Sequence, residues 1–228
     1  MSFKRFAIYY TPPQGDFASF GAAWLGWDLV SGQSVAHPAI QDFDLSEITQ
    51  TPRKYGFHAT MKPPFRLADG ATAETLITET GKICRGLAPV TLDGLKLHQI
   101  GRFLAFVPQG DESALTALAA SVVRAFDPFR APATEAELAR RRKARLSPAQ
   151  EANLTTWGYP YVMDEFHFHM TLTGRLNKEL LATVTRALSD LSTSVLPQPF
   201  RVDSLTLVGE REDGQFAEIK RFALGTAA

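Results

Sequence analysis

The sequence predicts an α+β fold: two pseudo-twofold-related lobes of mainly antiparallel sheet with outer helices. Three observations carry that prediction. Phe57, Ala59 and Met61 alternate with His58, Thr60 and Lys62, the period of two expected of a half-buried strand. The same alternation returns with Phe166, Phe168, Met170 and Leu172 on one parity and His167, His169, Thr171, Thr173 and Arg175 on the other. Both runs contain His-x-Thr directly after an aromatic residue, and the elements after each run also repeat. A helical stretch over Ala73 to Leu87, a strand from Val90 to Leu97, a turn at Gly101 and a strand from Phe103 to Val107 come after the first. A helical stretch over Lys178 to Leu191, a strand from Arg201 to Leu207, a turn at Asp213-Gly214 and a strand from Phe216 to Phe222 come after the second. His58 to His169 is an offset of 111 residues, and Asp93 to Asp203 one of 110. Residues 1–228 therefore read as a single bilobal domain with duplicated strand-helix-hairpin units at about 55–108 and 165–224.

In chain order, Phe6-Ala7-Ile8-Tyr9-Tyr10 is a short apolar run stopped by Thr11-Pro12-Pro13, which predicts a buried first strand. Asp16 reads as the N-cap of a helix with Phe17, Phe20, Trp24 and Leu25 on one face. Residues 31–54 hold Gly32, His37, Pro38 and Pro52 without sustained periodicity and read mostly as loop, with a helical turn at Leu45 to Thr49 and His37 exposed. Pro63-Pro64 is expected to end the first motif strand. Alternation of Leu95 and Leu97 with Lys96 and His98 places His98 on the solvent side. Ala114 to Phe126 is an apolar helix, and Asp127 to Pro132 reads as the break between lobes. Thr134 to Leu146 carries a basic run from Arg140 to Arg145, either a lid over a phosphate-bearing substrate or a solvated face. Ser147-Pro148 starts a further helix as N-cap and first helical residue.

Composition narrows the function. With 45% hydrophobic and 21% charged residues the chain is ordinary for a globular protein. Lys plus Arg equals Asp plus Glu at 24 each, so no global field favours long nucleic acid by counterion release. A small phosphorylated substrate, a nucleotide or a short RNA fits better. Cys84 is alone, which excludes a disulfide framework and a thiolate metal site and leaves it as a core thiol. Neither an apolar leader at the N-terminus nor a run long enough to span a membrane is present, so a cytoplasmic location is expected.

Two His-x-Thr strands in two similar units resemble the two-histidine (2H) phosphoesterase superfamily, which includes bacterial RNA ligase-like proteins and cyclic nucleotide phosphodiesterases. The run Tyr55-Gly56-Phe57-His58-Ala59-Thr60-Met61-Lys62-Pro63-Pro64-Phe65, with Trp24-Leu25-Gly26 and Phe168-His169-Met170-Thr171-Leu172-Thr173-Gly174, is similar to the branch named for phosphonate metabolism. The likeness covers nearly the whole chain. It implies a bilobal fold with one His-x-Thr on each wall of a cleft, and His58, Thr60, His169 and Thr171 as the catalytic set. Through the operon association of that branch it also suggests a phosphorylated ribose cyclic phosphate, or another intermediate of carbon-phosphorus bond breakdown, as substrate.

The residue types suit that chemistry independently of the likeness. Unperturbed imidazole titrates near pH 6.5, so two histidines across a cleft supply a base and an acid together. In hydrolysis of a cyclic phosphodiester one takes a proton from water and the other protonates the leaving sugar oxygen. Thr60 and Thr171 are placed to donate hydroxyl hydrogen bonds to the non-bridging oxygens. Lys62 and Arg175 share the motif parity and would add positive charge if each strand stays regular; His167 would contact substrate or sit on the surface. No metal and no cofactor are expected. Three alternatives remain open. His167-x-His169 with His58 has the spacing of a zinc site but leaves both threonines without a role. An RNA-end processing or ligating protein could use the same fold. A non-catalytic phospho-ligand binder would have no need of two titratable groups.

Overall fold

The structure is a computed structural model that describes residues 2–225; the outermost residues of the 1–228 span lie outside the described residues. Strand β1 (Phe6–Tyr10) is buried throughout and is followed by helix α1 (Asp16–Leu25). The N-cap position of α1 is Gly15, so Asp16 is its first residue and not its cap. A small hairpin pairs β2 (Trp27–Asp28) with β3 (Gln33–Ser34), and the stretch 31–54 read mostly as loop holds β3 and two single-turn helices, α2 (Leu45–Ile48), where a helical turn is expected, and α3 (Gln50–Arg53). His37 is not a free loop side chain: its Nδ1 donates to the carbonyls of Ala23 and Trp24, and Arg53 donates to its Nε2. It closes the C-terminus of α1, where carbonyls have no partner within the helix.

The first motif opens β4 (Ala59–Phe65), which is followed by α4 (Ala73–Arg85), β5 (Val90–Leu92), β6 (Gly94–Ile100) and β7 (Phe103–Gln109). Then come α5 (Ser113–Ala125), α6 (Glu135–Arg142) and α7 (Pro148–Trp157). Capping boxes at Thr134 and Ser147 set the starts of α6 and α7, the latter with proline in the first turn. The second motif forms β8 (Met170–Thr171), followed by α8 (Lys178–Ser192), β9 (Phe200–Val202), β10 (Ser204–Glu210) and β11 (Phe216–Ala223).

Seven strands form one sheet in the order β11-β10-β1-β4-β8-β7-β6. Its two halves meet where β4 and β8 pair antiparallel at Ala59 and Met170. Those two residues are 111 apart, the offset of the histidines. The strands predicted over Val90 to Leu97 and Arg201 to Leu207 each break at an aspartate, Asp93 and Asp203, and the pieces before the breaks, β5 and β9, pair at Thr91 and Arg201, 110 apart. Equivalent residues therefore face each other at both junctions, as on a local twofold. The hairpins are exchanged: β7, from the first unit, flanks β8, while β10, from the second, reaches β4 through β1.

The main core lies on one face of this sheet, with Ile8, Tyr10, Ala59, Met61, Phe106, Met170 and Leu207 packed against α1, α4, α5 and α8. Cys84 belongs to it, buried as expected, and burial pushes its thiol up to about 12. Ala7, Tyr9, Val208 and Phe216 point to the other face and form a second cluster with Trp27 and Leu29. Strand β4 continues through Pro63 and Pro64, contrary to expectation, because β8 pairs with it only at Ala59. A proline without an N–H is tolerated on an edge that no neighbour uses. Asp127 to Pro132 is tied in by bonds from Ala68 N to Phe129 O and from Ala131 N to Arg66 O.

Gly21 of α1 lies flat on Phe57, the residue before the first motif histidine. A Cβ at Gly21 would overlap the Phe57 ring. Gly21→Ala is therefore expected to destabilise by about 1 to 3 kcal/mol or more through overpacking, read as a lowered denaturant midpoint. An unchanged midpoint would mean that Phe57 is free to move aside.

Candidate active site

Extending the Ala59–Met170 register by one residue each way sets His58 across from Thr171 and Thr60 across from His169. Since Ala59 and Met170 point into the main core, the four motif side chains share the opposite face. Each histidine thus stands next to the other motif's threonine as well as its own.

Both imidazoles are held alike. His58 Nδ1 donates to the carbonyl of Gly56 at 2.8 Å, and His169 Nδ1 donates to the carbonyl of His167 at 2.8 Å. In each the acceptor is two residues back, and in each Nε2 is left clear of that carbonyl. Such a bond fixes both tautomer and ring orientation. Thr60 Oγ1 lies 3.1 Å from His58 Nε2. Gly56 makes the first arrangement possible: its φ is 72°, and a Cβ there would meet Leu29 at 2.7 Å, so only glycine presents this carbonyl without strain.

Burial pushes His58 down to about 4, against the Gly56 hydrogen bond, which favours the charged form; repulsion by His169 adds to the fall. Burial also lowers His169, opposed by its bond to the His167 carbonyl and reinforced by the His167 ring. Burial thus favours the neutral form of both rings. Tyr9, fully buried and across from Thr60, stacks on His58 with ring centroids 3.8 Å apart and planes at 23°. Phe103 stands 6.1 Å from the His169 ring.

These contacts sit in a chain whose residues 60–217 match the family described as "Protein of unknown function (DUF1045)". The chain belongs to that family. Among curated relatives, "Ribose 1,5-bisphosphate phosphokinase PhnN" of Janthinobacterium sp. (strain Marseille) is 37% identical over 96% of this chain and 51% of its own length. The protein of the same name from Laribacter hongkongensis (strain HLHK9) is 34% identical over 92% of this chain and 49% of its own. The DUF1045 chain thus spans about half the length of the curated relatives it matches. Among solved structures, it aligns with TT0787 of Thermus thermophilus at 14% identity and TM-score 0.48, over 98% of this chain and all of that one. It aligns with E. coli LigT complexed with NADP+ at 14% identity and TM-score 0.46, over 99% of this chain and all of that one.

The other residues singled out from the DUF1045 sequence fare differently. Lys62 is not at the site. Between Tyr9–Thr60 and Ile8–Lys62 the register of β1 and β4 shifts by one residue, a bulge that turns the next side chain to the opposite face. Lys62 is 1% exposed in the core, where it donates to Val123 O at 3.1 Å and Asp127 Oδ1 at 3.3 Å. Burial lowers it to about 8, against the pull of Asp127. Asp127 keeps Arg130 as a second partner at 2.8 Å, so Lys62→Met is expected to leave the unfolding midpoint unchanged or raised and turnover close to the parent. Lost turnover with stability retained would return Lys62 to the site.

Arg175 is exposed and lines a cleft of about 780 Å³ with Thr171, Thr173, Gln50, Thr51 and Phe103. Thr173 leaves the polar row because its hydroxyl takes the Leu104 N–H at 3.0 Å, replacing a ladder bond beyond the two-residue β8. The ring of His167 is exposed, and its role here is the carbonyl that orients His169. Among the described residues no three His, Cys, Asp or Glu side chains converge, so the three-histidine zinc arrangement finds no donor set there. His98 is exposed as expected. Sequence reasoning missed Tyr9, because all of β1 is apolar or aromatic and its parity does not say which residues face the site.

Proposed function

We propose that this chain is a metal-independent phosphodiesterase that hydrolyses a small cyclic phosphodiester on ribose, with His58 and His169 as the acid-base pair and Thr60 and Thr171 as phosphate-binding donors. The observation that carries this reading is the paired arrangement of two Nδ1-tethered imidazoles, each with a threonine hydroxyl beside it. Water attacks phosphorus as one neutral Nε2 takes its proton. The bond from phosphorus to the sugar oxygen breaks, and the other imidazolium donates its proton to that oxygen. Charge accumulating on the non-bridging oxygens is met by the two hydroxyls. Residues within the two motifs thus account for every proton and charge without a metal.

The identity to relatives named for ribose 1,5-bisphosphate supports a phosphorylated ribose, and so does the likeness to the phosphonate-metabolism branch. The reading takes from that name the phosphorylated ribose and not the kinase activity, since no P-loop run is present in this chain. Two units repeating at a near-constant offset, with equivalent residues paired, support reading the chain as one duplicated domain. A second reading, processing of RNA ends, is favoured by the cleft beside Thr171: about 780 Å³ with the Phe103 ring on its wall suits a nucleoside.

The test is a hydrolysis screen with chelator present, over ribose cyclic phosphates, nucleoside 2′,3′-cyclic phosphates and an RNA ending in a 2′,3′-cyclic phosphate. Faster turnover of the ribose compounds is expected. Preference for the RNA would favour the second reading, and activity only on addition of a divalent metal would end both.

A further inference from the structure

The basic run after residue 139 resolves into side chains with different tasks. Arg140, Arg142, Lys143 and Arg145 are exposed, and Arg142 is paired with Glu151 at 2.7 Å. Arg141 turns in and lies 4.4 Å above the Tyr159 ring. Lys54 repeats this arrangement 4.7 Å above Tyr55, whose ring is 6.2 Å from that of His58. Neither cation has a carboxylate partner among the described residues, whereas neighbouring Arg5 is held bidentately by Glu210. Tyr9 stacks on the His58 ring at 3.8 Å, and its hydroxyl is buried with no hydrogen-bond partner. Tyr9, Tyr55 and Tyr159 stand close enough to perturb one another's ionisation, and Arg5 and Arg141 likewise.

Each of these features is costly alone. A buried hydroxyl without a partner forfeits its hydration, and a half-buried cation without a counter-charge does the same. A single anion would satisfy all three. We propose that Tyr9, Lys54 and Arg141 form a second anion site for a phosphomonoester carried by the same small substrate whose cyclic phosphodiester is cleaved between His58 and His169, which rests on the function proposed above. Tyr9 links the two sites, since its ring stacks on His58 while its hydroxyl serves the second anion. The planar guanidinium of Arg141 suits a terminal phosphate, which takes two parallel N–H bonds. The arrangement selects substrates with two phosphates on one sugar.

The experiment compares adenosine 2′,3′-cyclic phosphate with and without a 5′-phosphate. The parent is expected to favour the 5′-phosphorylated probe in kcat/KM by roughly tenfold or more, the scale of one charge-assisted hydrogen bond. Arg141→Met should collapse that ratio toward one, mainly through KM, and Tyr9→Phe and Lys54→Met should each lower it in part. Arg142→Met serves as the control and should leave the ratio unchanged. Equal kcat/KM for both probes in the parent, or an Arg141→Met loss of equal size on both, would overturn the second site. If the parent cleaves neither probe nor any ribose cyclic phosphate of the hydrolysis screen, the proposed hydrolysis is what fails. With neither probe cleaved, the site is read by calorimetric titration of inorganic phosphate into the His58→Ala/His169→Ala double variant. Binding that persists there and disappears on adding Arg141→Met supports it; no binding, or binding indifferent to Arg141→Met, overturns it.

Discussion

His58→Ala and His169→Ala are each expected to lower turnover of the cyclic phosphodiester by about a hundredfold or more, the usual scale for losing a positioned acid or base. The reasoning is geometric. Each Nε2 is aimed by a bond from its own Nδ1 to a backbone carbonyl, so no rotation of a neighbouring side chain can substitute for it. The double variant should be little worse than either single one, because an acid without its base gains little. Thr60→Val and Thr171→Val should cost less, roughly 1 to 3 kcal/mol of transition-state stabilisation, as for one hydrogen-bond donor to an oxyanion. Steady-state rates on a substrate that the parent hydrolyses decide the matter. Near-parental turnover in either single histidine variant would remove the acid-base pair from the mechanism.

Much of this site was legible because alternation is a local property. His58, Thr60, His169 and Thr171 share a face since one residue, Ala59 or Met170, separates each pair and points into the core. The start of α7 was legible for a similar reason: Ser147 caps it through a side-chain bond to the first turn, with Pro148 next. What depends on neighbouring strands was not legible. Lys62 had the right parity, but the bulge against β1 turned it into the core. The exchange of hairpins between the two halves leaves no mark in the order of elements, since either pairing has the same sequence. Tyr9 reaches His58 from a uniformly apolar and aromatic strand, and Arg141 turns in from a run of three arginines, where no periodicity distinguishes the inward residue.

The second large effect expected is on the pH dependence. With burial holding His58 at about 4 and His169 below its ordinary value, the free protein is expected to carry one proton on the pair only in acid. The bell in kcat/KM should therefore centre between about 4 and the ordinary imidazole value near 6.5. Below the lower limb the base is protonated, and above the upper limb the acid has lost its proton, with about tenfold lost per pH unit beyond either limb. The limbs belong to the coupled pair and not to either histidine alone. A bound phosphodiester anion between the imidazoles favours the charged form, so the kcat profile should lie at higher pH than that of kcat/KM. A kcat/KM that climbs through pH 7 to an alkaline optimum would mean that no imidazolium takes part. Stability should follow the same groups: between the ordinary imidazole value and about 4 the unfolded chain binds protons that folded His58 does not. Stability then rises with pH across that window and falls as acid is added. His58→Ala, which lacks the group in both states, should flatten this slope in denaturant titrations even as it lowers turnover, which separates the loss of a proton carrier from a loss of fold.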